Sequence, residues 1–140
     1  MAKVARKPFL ASHSNARAVA SHVRNLTDEM IRTLADRGGI MGMNFCAAFL
    51  NDAEGCHPDG GTSRITDMVR HIRHIYRVGG IDCIALGSDF DGIGCQLEME
   101  SPAKLSLLWE ALERNGFTEE EVEKIFWKNS YRFYREVWRE

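Results

Sequence analysis

Three short apolar runs in this 140-residue chain each end in side chains that can bind a ligand or move a proton. Pro8-Phe9-Leu10-Ala11 leads into Ser12-His13-Ser14-Asn15. Ile40-Met41-Gly42-Met43-Asn44-Phe45 carries Asn44 near its end. Ile81-Asp82-Cys83-Ile84-Ala85-Leu86-Gly87 leads straight into Ser88-Asp89-Phe90-Asp91-Gly92. In parallel α/β folds, chemistry gathers at the carboxyl ends of strands. A neutral imidazole from His13 and a carboxylate from Asp89, both at strand ends, suit zinc or another divalent metal. Arg24 reads two ways. It is a solvated loop cation, or a clamp for a carboxylate, which guanidinium grips through two parallel hydrogen bonds. Spacing leaves both open, and His22 lies close to it in the chain.

Other tempting groups carry less. Asp89-Phe90-Asp91-Gly92 lacks the third acidic or amide position and the distal glutamate of an EF-hand loop, and such runs also occur in plain turns. Gly92 and Gly94 lack the spacing of a dinucleotide-binding loop. His71 and His74 sit three residues apart on the clearest helix. With Ile65 at zero and about 100° per residue, they fall near 240° and 180°, outside an apolar stripe running from about 280° to 40°. Both are therefore expected on the surface. His57 lies in a polar loop and points to nothing.

The elements that must position these groups follow from pattern. Thr27 caps a helix whose first turn holds Asp28 and Glu29, and Gly38-Gly39 stops it. An exposed loop is expected from about Ala47 to Thr62, rich in Gly, Asp and Asn. Ile65, Met68, Val69, Ile72, Ile75 and Tyr76 give helical spacing over Ser63 to Val78, ended by Gly79-Gly80. Ser101-Pro102 opens another helix, and Thr118-Glu119-Glu120-Glu121 is a capping-box pattern. From Asn129, the residues Tyr131, Phe133, Tyr134, Val137 and Trp138 form an aromatic helix that must bury one side. The order strand, helix, strand, helix, strand, helices predicts parallel strands with right-handed crossovers. Three parallel strands make a poor sheet alone, because parallel sheets are covered on both faces. The chain therefore reads as part of a larger α/β fold.

Composition narrows the class. With 18 Lys+Arg against 20 Asp+Glu the net charge is −2, which argues against a nucleic-acid surface. No window approaches the roughly 20 apolar residues of a membrane span, and the first ten residues lack a signal-peptide core. Cys46, Cys56, Cys83 and Cys95 form no CxxC pair and are expected as free thiols in a reducing compartment. The expected location is cytoplasmic. The length excludes a closed (β/α)8 barrel, which needs at least about 200 residues.

Taken in order, Ser12-His13-Ser14-Asn15-Ala16-Arg17-Ala18-Val19, Arg24-Asn25-Leu26-Thr27-Asp28, Gly42-Met43-Asn44-Phe45 and Gly87-Ser88-Asp89-Phe90-Asp91-Gly92 resemble the membrane dipeptidase family, peptidase family M19. Asn129-Ser130-Tyr131-Arg132-Phe133 resembles that family's last helix. The resemblance runs from about Lys7 to Val137. It implies a (β/α)8 TIM barrel of amidohydrolase type holding two zinc ions and hydrolysing dipeptides. It further implies that His13 is a zinc ligand, that Arg24 holds the substrate's terminal carboxylate with Asn44 beside the substrate, and that Asp89 is the acid–base carboxylate of the last strand. Asp91 then fixes its loop. Where some members carry a substrate-contacting tyrosine in the loop after Asn44, this chain has Phe49.

The family's His-x-Asp pair, bridging glutamate and second zinc-binding histidine lie on earlier strands, and no His-x-Asp pair is expected anywhere in these residues. One histidine cannot hold two zinc ions, since a catalytic zinc takes about three protein ligands. Residues 1–140 are thus expected to form the carboxyl-terminal part of the barrel, about three βα units. The expected function is that of a zinc-dependent dipeptidase, present as a piece inactive alone. The expected partners are a dipeptide, no nucleic acid, and either a missing amino-terminal segment or further copies in a homo-oligomer. Two other readings remain: a non-catalytic half-barrel acting through binding or self-association, and a small enzyme using Asp89 and Asp91 on a magnesium–phosphate substrate. The lack of a phosphate-cradling glycine loop counts against the last.

Overall fold

The computed structural model describes residues 5, 7–57 and 59–138. In chain order its elements are β1 (Leu10–Ala11), α1 (Asp28–Asp36), β2 (Ile40–Asn44), α2 (Ala47–Leu50), β3 (Thr62–Ser63), α3 (Ile65–Gly79), β4 (Ile84–Ser88), β5 (Gln96–Leu97), α4 (Leu105–Arg114), α5 (Glu119–Glu123) and α6 (Asn129–Val137). A parallel sheet runs in the order β1-β2-β4, and β3 pairs with β5 in a separate two-stranded sheet. The three predicted strands and their helical crossovers are therefore present. Among the described residues the sheet stays open at both edges: β1 and β4 each pair only with β2.

The local chemistry explains the boundaries. Thr27 accepts a hydrogen bond from the Met30 N–H at 3.3 Å, and Asp28 and Glu29 face the positive end of α1. Gly80, at φ 83°, terminates α3. Thr118 and Glu121 form the reciprocal capping box of α5.

Side chains alternate between the two sheet faces. On one face Ala11, Met41, Met43, Ile84 and Leu86 join Ile31 and Leu34 of α1 and Met68, Ile72 and Ile75 of α3 in the main core. On the other face Leu10, Ile40 and Ala85 meet Phe133 and Val137 of α6. Right-handed crossovers put α1 and α3 together on the outer face, so α6 lies on the inner one. It lies across the starts of the strands. The Asn129 amide donates to the carbonyls of Ile81 and Ile84, both at 2.8 Å. Arg132 donates to the Asp82 carbonyl at 2.7 Å and the Gly38 carbonyl at 3.4 Å, and Lys7 reaches the Val137 carbonyl.

Three expectations are corrected, and one element was not expected. Residues 47–50 are not exposed loop but a buried helical turn, Ala47 to Leu50, whose Ala47, Ala48 and Phe49 pack with Cys46 and Cys95. The third apolar run opens with a 3₁₀ turn at Ile81–Cys83 before the strand begins. Lys124–Lys128 adds a π-helical turn between α5 and α6 that no local pattern announced. His71 is fully buried rather than on the surface. The flank of α3 that carries it is covered by α2 and the loop after β1, which the helix's own apolar stripe does not reveal. His74 does lie on the outside, part-exposed, and its Nε2 meets Asp28 at 2.7 Å. No helix among the described residues is long and apolar enough to cross a membrane.

Candidate functional site

The sheet brings its three functional ends together. His13 follows β1, Asn44 ends β2, and Asp89 follows β4. The register slips between β2 and β4: Met43 pairs with Leu86 but Asn44 with Ser88, so Gly87 is an extra residue. Ser88 and Asp89 then take φ values of 31° and 71°, conformations that non-glycine residues rarely adopt. Strain of about 1 kcal/mol or more per residue collects in such places when the surroundings over-determine them. Here it turns Asp89 toward Asn44, whose amide donates to Asp89 Oδ2 at 3.0 Å. The Asn44 amide cannot flip, because its oxygen accepts from the Cys46 N–H at 2.7 Å.

Close backbone approach shapes the same region. A Cβ on Gly42 or on Gly87 would stand 2.3 Å from the Ser12 carbonyl oxygen, so only glycine lets the turn into His13 settle against β2 and β4.

The His13 loop is held by a buried amide network. Asn15 accepts from the Asn44 N–H at 2.8 Å and donates to the carbonyls of Asn44 (2.9 Å) and Phe49 (3.2 Å). Asn25 donates to the carbonyls of Phe49 (3.0 Å) and Ala20 (2.8 Å). The Ala16 N–H donates to His71 Nδ1 at 3.1 Å, and His71 Nε2 donates to the Leu50 carbonyl at 2.9 Å. That pairing requires a neutral imidazole carrying its proton on Nε2. Burial lowers the His71 pKa from its ordinary 6.5 to about 4. Neither Asn15, Asn25 nor His71 was singled out as a site residue from sequence; only the asparagine two positions after His13 gave a signal.

His13 and Arg24 meet directly, with Arg24 Nη2 3.0 Å from His13 Nε2. Guanidinium only donates, so Nε2 accepts and the Nδ1 proton points to Ser12 Oγ at 2.7 Å. Arg24 also lies over the Phe49 ring, 4.9 Å from its centroid, and His22 packs edge-on against the same ring at 4.6 Å. The structure thus forms two contacts from the four site residues named from sequence: His13 with Arg24, and Asn44 with Asp89. Asp91 is exposed beside them.

The donor set is too small for a metal centre. Among the described residues no three His, Cys, Asp or Glu side chains come close enough to hold an ion. The chain does contain one His-x-Asp spacing, His57-Pro58-Asp59, which sequence reading passed over. His57 and Asp59 lie in an exposed turn, where the Asp59 N–H meets His57 Nδ1 at 3.3 Å and His57 bridges to Gly60. The pair follows no strand of the three-stranded sheet. The four cysteines are free; burial pushes the Cys46 and Cys83 thiols up to about 11, so neither is a thiolate at neutral pH.

A family model described as membrane dipeptidase, peptidase family M19, matches residues 1–139. The chain belongs to that family. It is 40% identical over 136 residues to an uncharacterized protein in the pqqA 5′ region of Klebsiella pneumoniae, covering 97% of this chain and 49% of that one. It superposes with a TM-score of 0.87 on the crystal structure of dipeptidase AC, an M19 metallopeptidase, at 30% identity over 98% of this chain and 40% of that chain. The same score and identity relate it to a metallopeptidase from Rhodobacter sphaeroides liganded with a phosphinate mimic of the dipeptide L-Ala-D-Ala, over 98% of this chain and 38% of that chain. The M19 chain described here thus spans about half or less of these relatives' lengths. Its three βα units are a portion of the TIM barrel of these metallodipeptidases, open where the barrel would close.

Proposed function

We propose that this chain supplies the carboxyl-terminal part of the active site of a zinc-dependent dipeptidase and is inactive by itself. The observation that carries this reading is the convergence of His13–Arg24 and Asn44–Asp89 at adjacent strand ends. It is supported by the close superposition on a peptidase holding a dipeptide mimic. In this reading Arg24, steadied by Phe49, grips the terminal carboxylate of the dipeptide. Asn44 holds one oxygen of Asp89, and Asp89 exchanges a proton with the attacking water and then with the leaving amine. Its strained backbone fixes where that exchange occurs. His13 would be one zinc ligand, through the Nε2 that here accepts from Arg24. Zinc does not fit this chain alone, because a catalytic ion needs about three protein ligands; the others come from strands outside residues 1–140.

The test is hydrolysis of L-Ala-D-Ala with zinc added. The chain alone is expected to show no zinc-dependent turnover. Mixed with the portion of the Rhodobacter sphaeroides peptidase that it does not match, it is expected to gain activity that chelation abolishes. Zinc-dependent hydrolysis by the isolated chain would refute the incomplete-site reading, and an inactive but fully formed complex would refute the dipeptidase reading.

A further inference from the structure

The π-helical turn and α6 expose four large aromatic side chains: Trp127 (51% exposed), Tyr131 (58%), Tyr134 (39%) and Trp138 (75%). At about 100° per residue they fall within one stripe some 60° wide, beside the Phe133–Val137 edge that packs on the sheet. Tyr134 and Trp138 are stacked, with centroids 4.9 Å apart, and Trp127 and Tyr131 are 6.4 Å apart. Tyr131, Tyr134, Arg135 and Trp138 line an open groove of about 440 Å³. A contiguous apolar patch of this kind marks an interaction surface.

Its position identifies the occupant. α6 packs on the inner face of the sheet and bonds to backbone before β2 and at the start of β4, with Lys7 joining it from before β1. It therefore floors the amino-terminal ends of the strands. Among the described residues the sheet beside it ends in two unpaired edges, and about 60% of the length of the two M19 structures lies outside the matched region. Strands that close this sheet into a barrel begin across the mouth that α6 floors. We infer that the stripe of Trp127, Tyr131, Tyr134 and Trp138 is the docking surface for the amino-terminal, strand-bearing portion of the barrel. Arg135 over Tyr131 borders the stripe with positive charge, which suits an acidic residue at the rim of that portion, whereas Lys128 over Trp127 is already paired with Glu123.

This rests on the incomplete-barrel reading but not on dipeptide hydrolysis, so binding and turnover are measured separately. The portion of the Rhodobacter sphaeroides peptidase outside the matched region is titrated into the full chain and followed by light scattering and tryptophan emission. The expected result is a one-to-one complex with blue-shifted emission. The variant Tyr134→Asp/Trp138→Asp is expected to bind at least ten-fold more weakly, while its own urea midpoint falls only slightly, through the edge of Phe133 that Tyr134 covers and the two carboxylates at the end of α6. Equal binding by parent and variant, or no complex with the parent, overturns the inference. A homodimer of the parent that the variant abolishes also overturns it, since the occupant is then a second copy. A complex that forms through the stripe yet hydrolyses no dipeptide leaves the docking intact and removes the proposed function instead.

Discussion

Acid should loosen the clamp on the His13 loop through His71. The folded pKa of about 4 lies below the ordinary 6.5, so the fold favours the neutral ring. Above pH 6.5 both folded and unfolded chains are neutral at this position, and the contribution is fully present. Between 6.5 and about 4 the unfolded chain takes up a proton that the folded chain refuses, and stability falls as pH falls. At about 1.4 kcal/mol per pH unit, 2.5 units correspond to about 3 kcal/mol. Carboxylates titrate in the same window, so the quantity to measure is the difference between parent and His71→Gln. Glutamine keeps a donor and an acceptor but no ionisation. At pH 7 the variant should lose about 1–3 kcal/mol, because one chain cannot satisfy both the Ala16 N–H and the Leu50 carbonyl with imidazole geometry. Urea unfolding at half-unit steps from pH 4.5 to 7.5 should show this gap shrinking, then reversing, toward acid. A gap constant across the range would mean that His71 is not held neutral by the fold, and the geometric argument would fail.

Two further outcomes follow from the strand ends. Gly42→Ala should cost about 1–3 kcal/mol by urea denaturation, because its methyl meets the Ser12 carbonyl and backbone of Gly87 rather than a movable side chain. In the reconstituted barrel, Asp89→Asn should lower kcat about 10²–10⁴-fold with KM little changed, whereas an equal rise in KM alone would make Asp89 a binding residue.

The legible parts of this fold are those governed by near neighbours in sequence. Thr27 and Thr118 meet donors three residues on, so their caps could be read directly, and the apolar runs that became β2 and β4 carry their pattern within five residues. His13, Asn44 and Asp89 were legible as a group because parallel topology puts strand ends together whatever the intervening sequence does. What escaped depends on distant partners. His71 is buried by residues 21 and 55 positions away, and Ala47–Leu50 is buried because Cys95 and the Asn15 and Asn25 amides arrive from elsewhere. The π-helical turn likewise answers to packing against β4, which helical periodicity does not encode.

The two halves of the site differ in what they need. The elements that orient His13, Arg24, Asn44 and Asp89 are bonded to one another within residues 12–89, through Asn15, Asn25, His71 and the Gly42–Gly87 approach. Buried amides of this kind lose their partners if the loop opens, and each unpaired group costs about 1–3 kcal/mol, so the orientation does not wait for the remainder of a barrel. The metal donors show the reverse: among the described residues no three of them stand close enough to hold an ion. In the proposed reading, a segment that docks on α6 and pairs with β1 and β4 brings the missing ligands to a His13 loop that is already held in place. Its binding should leave the hydrogen-exchange protection of the Ala16 and Asn44 amides unchanged while raising that of the β1 and β4 edge amides.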